Sequence, residues 1–125
     1  MRAYHFVVKR FLSKLINMKR LKFHPSLVSL VLSKEKTSTW RLFDDKNLSE
    51  GDMLELINSE TGEVFAKAQI KKVSIKKLGQ LSDEDRVGHE PFSSDQEMHA
   101  IYEKYYKVPV DQYTEIKIIR FITDD

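Results

Sequence analysis

The stretch Lys34-Glu-Lys-Thr-Ser-Thr-Trp-Arg41 determines how the rest of this 125-residue sequence is interpreted. In an extended strand alternate side chains point to opposite faces, which places the cations of Lys36 and Arg41 on opposite faces. Burying an unpaired Lys or Arg costs more free energy than a strand gains from packing. We therefore expect at least one face of this strand to line a solvent-filled cleft, with the remaining chain as its scaffold.

Length and composition indicate one ordinary globular domain. Hydrophobic residues make up 41% of the chain and charged residues 32%, which is typical of soluble proteins. The absence of cysteine excludes disulfide bonds, thiolate metal sites and a cysteine nucleophile. The four histidines lack zinc-ligand spacing, so we expect neither a metal nor a cofactor. No apolar run approaches the roughly 20 residues of a membrane span. We expect a cytoplasmic protein and assume a monomer.

Basic residues are concentrated in the first third of the chain. Residues 1–34 contain eight Lys and Arg and no Asp or Glu, whereas residues 35–125 contain 13 Lys and Arg and 19 Asp and Glu. This asymmetry suggests a basic arm that binds phosphates or anionic lipid, attached to a mildly acidic body. The alternative interpretation is that the basic charge is simply solvated.

Residues 1–17 predict a short basic amphipathic helix, because apolar residues recur there at helical spacing. Three interpretations compete: a surface anchor or RNA-contacting arm, a targeting-like segment without a signal-peptide cleavage pattern, or an upstream extension of the reading frame. We favour the last, because Met18-Lys-Arg-Leu-Lys-Phe23 opens directly into a first strand. Residues 18–125 then form the functional domain.

The alternation of apolar residues and turn signals predicts five strands and three helices. The strands are Leu21–Phe23, the segment ending at Arg41, Met53–Ile57, Val64–Ile75 and Thr114–Thr123, and the helices begin near Pro25, Ser82 and Ser94. The last strand is apolar on both faces, which favours a position inside the sheet. Many short strands with few helices indicate a strongly curved sheet or partly open barrel, with helices that plug one end or flank a cleft.

The motif Lys34-x-Lys36-Thr37-x-Thr39-x-Arg41, followed by Gly51-Asp52-x-Leu54, resembles that of the ASCH domain (activating signal cointegrator homology). The resemblance covers roughly residues 20–123, and Lys34 stands where the family usually has glycine. It implies an α+β fold, a small PUA-like β-barrel of about five strands with two to three flanking helices. It also implies a cleft beside the barrel that is suited to RNA or a nucleoside.

The leading function that the resemblance implies is binding of RNA or a modified nucleoside in a basic cleft. The ligand-binding residues would be Lys36, Thr37, Trp40, Arg41 and His89. A third hypothesis, from another class, is a protein-interaction module without a ligand of its own.

The alternative function is that of a metal-free amidohydrolase, similar to a small bacterial branch of the family that removes the acetyl group from N4-acetylcytidine. The residues carried over as catalytic are Lys36, Thr39 and Glu90, with His89 as a competing candidate beside Glu90. A threonine hydroxyl becomes nucleophilic when a carboxylate takes its proton, and an ammonium group stabilises the developing oxyanion. In a regular strand Lys36 and Thr39 would face opposite ways, so this chemistry requires a twist or bulge near Ser38.

Purely structural roles compete with each of these assignments. Lys36 and Arg41 would contact phosphate or pair with an acid, and Thr39 would bond to the backbone. Trp40 would pack in the core rather than stack on a base. The candidate acid partners for the two cations are Asp52, Glu55 and Glu90.

Overall fold

The computed structural model describes residues 18–124, so the helix expected in residues 1–17 lies outside the described part of the chain. Within residues 18–124 there are five strands and three α-helices, and a short 3-10 turn lies at Leu78–Gln80. In chain order they are β1 (Lys19–Phe23), α1 (Pro25–Leu32), β2 (Ser38–Arg41), β3 (Met53–Asn58), β4 (Val64–Lys77), α2 (Asp83–Arg86), α3 (Asp95–Tyr106) and β5 (Glu115–Thr123). None of these helices is long and apolar enough to cross a membrane.

The strands form one curled sheet in the order β1-β3-β4-β5-β2. β1 pairs in parallel with β3, and the other neighbours are antiparallel. The pairing register shifts at Phe65 and Lys71, where β4 carries an extra residue against its partner, and such bulges bend a strand. The sheet is a half-barrel, which confirms the predicted small α+β barrel. β5 lies between β4 and β2, as its two apolar faces predicted.

Two apolar clusters pack on opposite faces of β5, because consecutive side chains of a strand alternate between faces. The barrel core consists of Leu21, Phe23, Val31, Leu48, Leu54, Leu56, Ala68, Ile70, Ile119 and Phe121. The helix-side cluster consists of Trp40, Leu78, Met98, Tyr102, Val110, Ile116 and Ile118. α3 contributes Met98 and Tyr102 to the helix-side cluster, so this helix is held against the face of the sheet that carries Trp40.

The predicted helix starts are confirmed by their capping contacts. Pro25 is the first residue of α1, where its missing N–H is not needed. Ser82 and Ser94 cap α2 and α3, each accepting a hydrogen bond from a backbone N–H three residues later. After α1, Lys34 has φ 67°, the left-handed conformation that glycine favours at this place. Lys34 thus follows α1 in a conformation that glycine adopts without strain.

The central segment forms a shorter strand than its sequence predicts. β2 begins only at Ser38, and Lys36 precedes it, donating its backbone N–H to the Leu30 carbonyl at 3.0 Å. Alternation along one strand therefore does not set the relative directions of the Lys36 and Thr39 side chains. A bulge near Ser38 would be necessary only if both residues lay in one regular strand. Because β2 begins at Ser38, these two side chains reach one site without it.

Candidate functional site

A cavity of about 250 Å³ opens between β1, β2, the segment 89–92 and α3. Its polar lining comprises Lys22, His24, Lys36, Thr39, Arg41, His89 and Glu90. Its aromatic and aliphatic lining comprises Phe23, Leu27, Trp40, Phe92, Ile101, Tyr102, Tyr105 and Tyr106. The curl of the sheet brings the edge strands β1 and β2 to the same opening, although three strands, β3, β4 and β5, lie between them in the sheet order.

All of the site residues expected from the sequence, except Thr37, line this cavity. Thr37 instead attaches the start of β2 to the segment that carries His89 and Glu90. Its N–H donates to the Gly88 carbonyl at 2.8 Å, and a Cβ at position 88 would overlap the Thr37 hydroxyl. Gly88 also has φ 81°, so both the close contact and the backbone conformation require glycine there.

The Lys36 ammonium is 2% exposed and forms an ion pair with the Glu90 carboxylate, which is 25% exposed. A buried charge is tolerated here because it is paired with an acid. Burial lowers the pKa of Lys36, and the charge of Glu90 offsets part of that effect. For Glu90, burial raises the pKa, but the neighbouring His89 and Lys36 outweigh it and lower the pKa overall.

His89 contributes a hydrogen-bond acceptor to this cluster and not another cation. Its Nδ1 lies 2.8 Å from the Glu90 carbonyl oxygen and 3.3 Å from a Glu90 carboxylate oxygen. Because both neighbours are acceptors, Nδ1 carries the proton and Nε2 keeps its lone pair. Burial, together with the charge of Lys36, lowers the pKa of His89 to about 4, so the imidazole is neutral at pH 7.

The Trp40 indole forms a wall of the cavity. Its ring stacks on His89 with centroids 3.8 Å apart and an interplanar angle of 20°, and Phe92 packs beside it at 6.1 Å. Trp40 is 3% exposed and belongs to the helix-side cluster, so core packing describes it better than an open stacking platform. Tyr105 is the exposed aromatic residue at the rim, with 64% of its surface accessible.

Arg41 is held at the mouth of the cavity by three contacts. Its Nε donates to Thr39 Oγ1 at 3.2 Å, its Nη2 donates to the Lys22 carbonyl at 2.9 Å, and its guanidinium lies 5.2 Å from the centre of the Phe23 ring. Because the Thr39 oxygen accepts from Arg41, the Thr39 hydroxyl proton remains available to a base or a ligand.

Two of the acids considered as partners for the motif cations pair elsewhere. Asp52 binds Lys19 at 2.7 Å and Glu55 binds Arg20 at 3.1 Å. Among residues 18–124, Arg41 has no acidic partner within ion-pair distance, and Glu90 is the acid that Lys36 uses. In the same part of the chain no group of three or more His, Asp and Glu side chains is arranged to hold a metal ion.

Three residues that line the cavity have no clear signal in the sequence: Lys22, His24 and Phe92. Lys22 and His24 lie at the end of β1 and reach the cavity only because β1 approaches β2 across the opening of the half-barrel. No local pattern reports that approach. Phe92 had a weak signal, since it lies two residues after Glu90 in an irregular loop that carries apolar side chains.

Neither a family model nor a curated protein matches this sequence. Solved structures do match. The ASCH domain from Lactobacillus crispatus JV V101 has a TM-score of 0.66 at 13% identity, covering 98% of this chain and 94% of that chain. Protein EF3133 from Enterococcus faecalis V583 has a TM-score of 0.72 at 15% identity, covering 98% and 92%. ASCH from Zymomonas mobilis has a TM-score of 0.60 at 13% identity, covering 86% and 68%. Similarity at this level establishes a fold and not an activity. This chain has the ASCH-domain fold that its central motif predicted.

Proposed function

We propose that this protein binds a single nucleoside, free or as part of RNA, in the cavity between β1, β2 and α3. The observation that carries the proposal is the combination of aromatic walls with a cationic opening in one small cavity. Unpaired bases are recognised in proteins by aromatic contacts on their faces and hydrogen bonds to their edges. The cavity supplies both kinds of contact.

The size of the cavity supports one base and not a stack of bases. Its volume of about 250 Å³ lies just below the range of roughly 300–1,000 Å³ that is usual for drug-sized ligands. One nucleobase with part of its ribose fits such a volume. Thr39 offers a hydroxyl donor and neutral His89 an acceptor, so the polar lining is able to pair with both donors and acceptors on the edge of a base.

The test of nucleoside binding is to fill the cavity. We expect wild-type protein to bind at least one member of a panel of nucleosides, including N4-acetylcytidine, in isothermal titration calorimetry. Ile101→Trp places an indole at the exposed cavity wall on α3 and should weaken that binding at least tenfold. The matched control is Ile75→Trp, because Ile75 is also exposed but lies on β4 outside this cavity.

Absence of binding by the wild type to every nucleoside in the panel would contradict the proposal. Equal weakening in Ile101→Trp and Ile75→Trp would also contradict it, since the effect would then not come from the cavity. Circular dichroism and the urea midpoint of each variant establish that the fold is retained.

A second candidate function is hydrolysis of an N4-acylated cytidine, and one observation favours it. Lys36, Thr39 and Glu90 line the same cavity, with Lys36 already paired to Glu90. In this mechanism the Thr39 oxygen attacks the acyl carbon while Glu90 takes the hydroxyl proton and returns it to the departing amine. Lys36 and Arg41 stabilise negative charge on the acyl oxygen and on Thr39. Water then hydrolyses the acyl-threonine ester.

Hydrolysis is tested by measuring acetate release from N4-acetylcytidine. Thr39→Ala should reduce kcat by about 10²-fold or more, because it removes the nucleophile on which the general base acts. Thr39→Ser keeps a hydroxyl at the same position and is the control that should retain turnover. No acetate release by the wild type at high enzyme concentration would remove this candidate and leave nucleoside binding as the proposed function.

A further inference from the structure

We propose that the mouth of the cavity is a phosphate subsite formed by Lys22, His24 and Arg41, so that the ligand is a nucleoside phosphate and not an uncharged nucleoside. The inference rests on the nucleoside binding proposed above and specifies its ligand class. It is carried by three residues that line one opening and whose side chains are hydrogen-bond donors, combined with the absence of an uncompensated acid among the described residues that line the cavity.

Arg41 brings a guanidinium with unused donors. A guanidinium has five N–H groups in a planar fork. Two of its nitrogens each donate one bond, from Nε to Thr39 and from Nη2 to the Lys22 carbonyl. These two bonds and the Phe23 ring hold the group in place, and the N–H groups of Nη1 have no acceptor among residues 18–124. A preorganised fork of this kind suits two oxygens of one phosphate.

His24 presents a donor as well. Its Nδ1 accepts the backbone N–H of Ser26 at 3.1 Å, as the cap of α1. A ring nitrogen that accepts a hydrogen bond carries no proton, so the proton of the neutral imidazole is on Nε2. The free nitrogen of His24 is therefore a donor, whereas the free nitrogen of His89 inside the cavity is an acceptor. The mouth and the interior thus differ in the ligand groups that they favour.

Lys22 completes the set. It is exposed at the end of β1 and lines the cavity beside Arg41, which binds its carbonyl. Within residues 18–124 Lys22 forms no ion pair with Asp or Glu. The acid that lines the cavity, Glu90, is already paired with the buried Lys36. The mouth therefore carries two cations without an acid, which favours an anion there.

The volume of the cavity explains why the anion is a phosphate attached to the bound nucleoside. With the base and part of the ribose inside about 250 Å³, the substituents of the ribose emerge at the opening. A 5′-phosphate on that ribose then lies where the three donors are. The phosphate has two sources, a free mononucleotide or a nucleotide within an RNA strand, and the same chemistry recognises both.

The experiment compares each common nucleoside with its 5′-monophosphate by isothermal titration calorimetry. We expect the monophosphate of the preferred base to bind at least tenfold more tightly than the nucleoside. The ratio of these two affinities should be smaller at about 0.5 M salt, because salt screens phosphate contacts. Lys22→Ala should reduce this ratio at least threefold. The substitution removes the ammonium group but keeps the backbone carbonyl that binds Arg41. Lys72→Ala changes net charge equally at an exposed position on β4 outside the cavity and should keep the ratio.

The possible results separate this inference from the proposed function. If a nucleoside binds but its 5′-phosphate adds no affinity, or if Lys72→Ala lowers the ratio as much as Lys22→Ala, the phosphate subsite is overturned while nucleoside binding stands. If neither nucleosides nor monophosphates bind, both are overturned. A short oligoribonucleotide that binds tenfold more tightly than the monophosphate assigns the phosphate to RNA, and equal or weaker binding assigns it to a free nucleotide; either result supports the subsite.

Discussion

The barrel core and the helix-side cluster share β5 but differ in what they bury. The barrel core takes Ile119 and Phe121 from β5 and consists entirely of apolar side chains. The helix-side cluster takes Ile116 and Ile118 from the other face and packs against the cavity wall formed by Trp40. The buried ion pair and the neutral histidine lie on this second side.

This difference indicates that the buried polar groups of the site lie with the helix-side cluster and its cavity, although Phe23 of the barrel core also lines the cavity. Apolar burial stabilises the barrel core by roughly 25 cal/mol per Å² without any polar group to satisfy. On the cavity side, Ser38 Oγ and Trp40 Nε1 are buried without a hydrogen-bond partner among the described residues, and each such atom costs about 1–3 kcal/mol. Unfavourable terms of this kind are common where a site must be preorganised.

The largest expected effect comes from breaking the barrel core. Leu54→Ala removes a fully buried side chain from β3 and should lower the free energy of unfolding by about 2–5 kcal/mol, through lost burial and the cavity left behind. Urea denaturation measures the loss. Leu32→Ala, at an exposed position on α1, is the control with a small effect. Nearly equal losses in the two variants would mean that the barrel core does not carry the stability.

An intermediate effect is expected at the Lys36–Glu90 pair, and it should be asymmetric. Glu90→Gln leaves the ammonium buried without its partner and should cost about 3 kcal/mol. Lys36→Met should cost less, because it removes the buried charge and leaves Glu90, which water already reaches. The double variant should recover part of the loss of Glu90→Gln. Urea denaturation of the three variants at pH 7 measures their free energies of unfolding. A greater loss of stability in Lys36→Met than in Glu90→Gln would refute the asymmetry.

The smallest effect is a pH dependence that belongs to the cavity side. The pKa of His89 falls from 6.5 to about 4 on folding, so the unfolded chain binds more protons and stability decreases as the pH falls from about 6.5 towards 4. The lowered pKa of Glu90 adds a loss only below its ordinary value of 4.5. His89→Gln should therefore flatten the stability profile between pH 6.5 and 4.5.

The measurement is the urea midpoint across that pH range. His99→Gln removes a histidine from α3 outside the cavity and serves as the matched control, which should keep the wild-type slope. An NMR titration of the His89 ring with a midpoint near 6.5 would contradict the prediction directly.

Local interactions determined what could be read from the sequence alone. Strand alternation identified β3, β4 and β5, and the serine caps identified the starts of α2 and α3, because these signals depend on residues within a few positions of one another. The motif from Lys34 to Arg41 also predicted the fold, and it contains four of the residues that line the cavity, Lys36, Thr39, Trp40 and Arg41.

The tertiary structure alone decided how those residues meet. Lys36 and Glu90 are 54 positions apart in sequence, and the stacking of Trp40 on His89 also joins β2 to the distant loop. Lys22 reaches the mouth because the sheet curls until β1 approaches β2. Such contacts depend on the curvature and register of the whole sheet, which no short segment encodes.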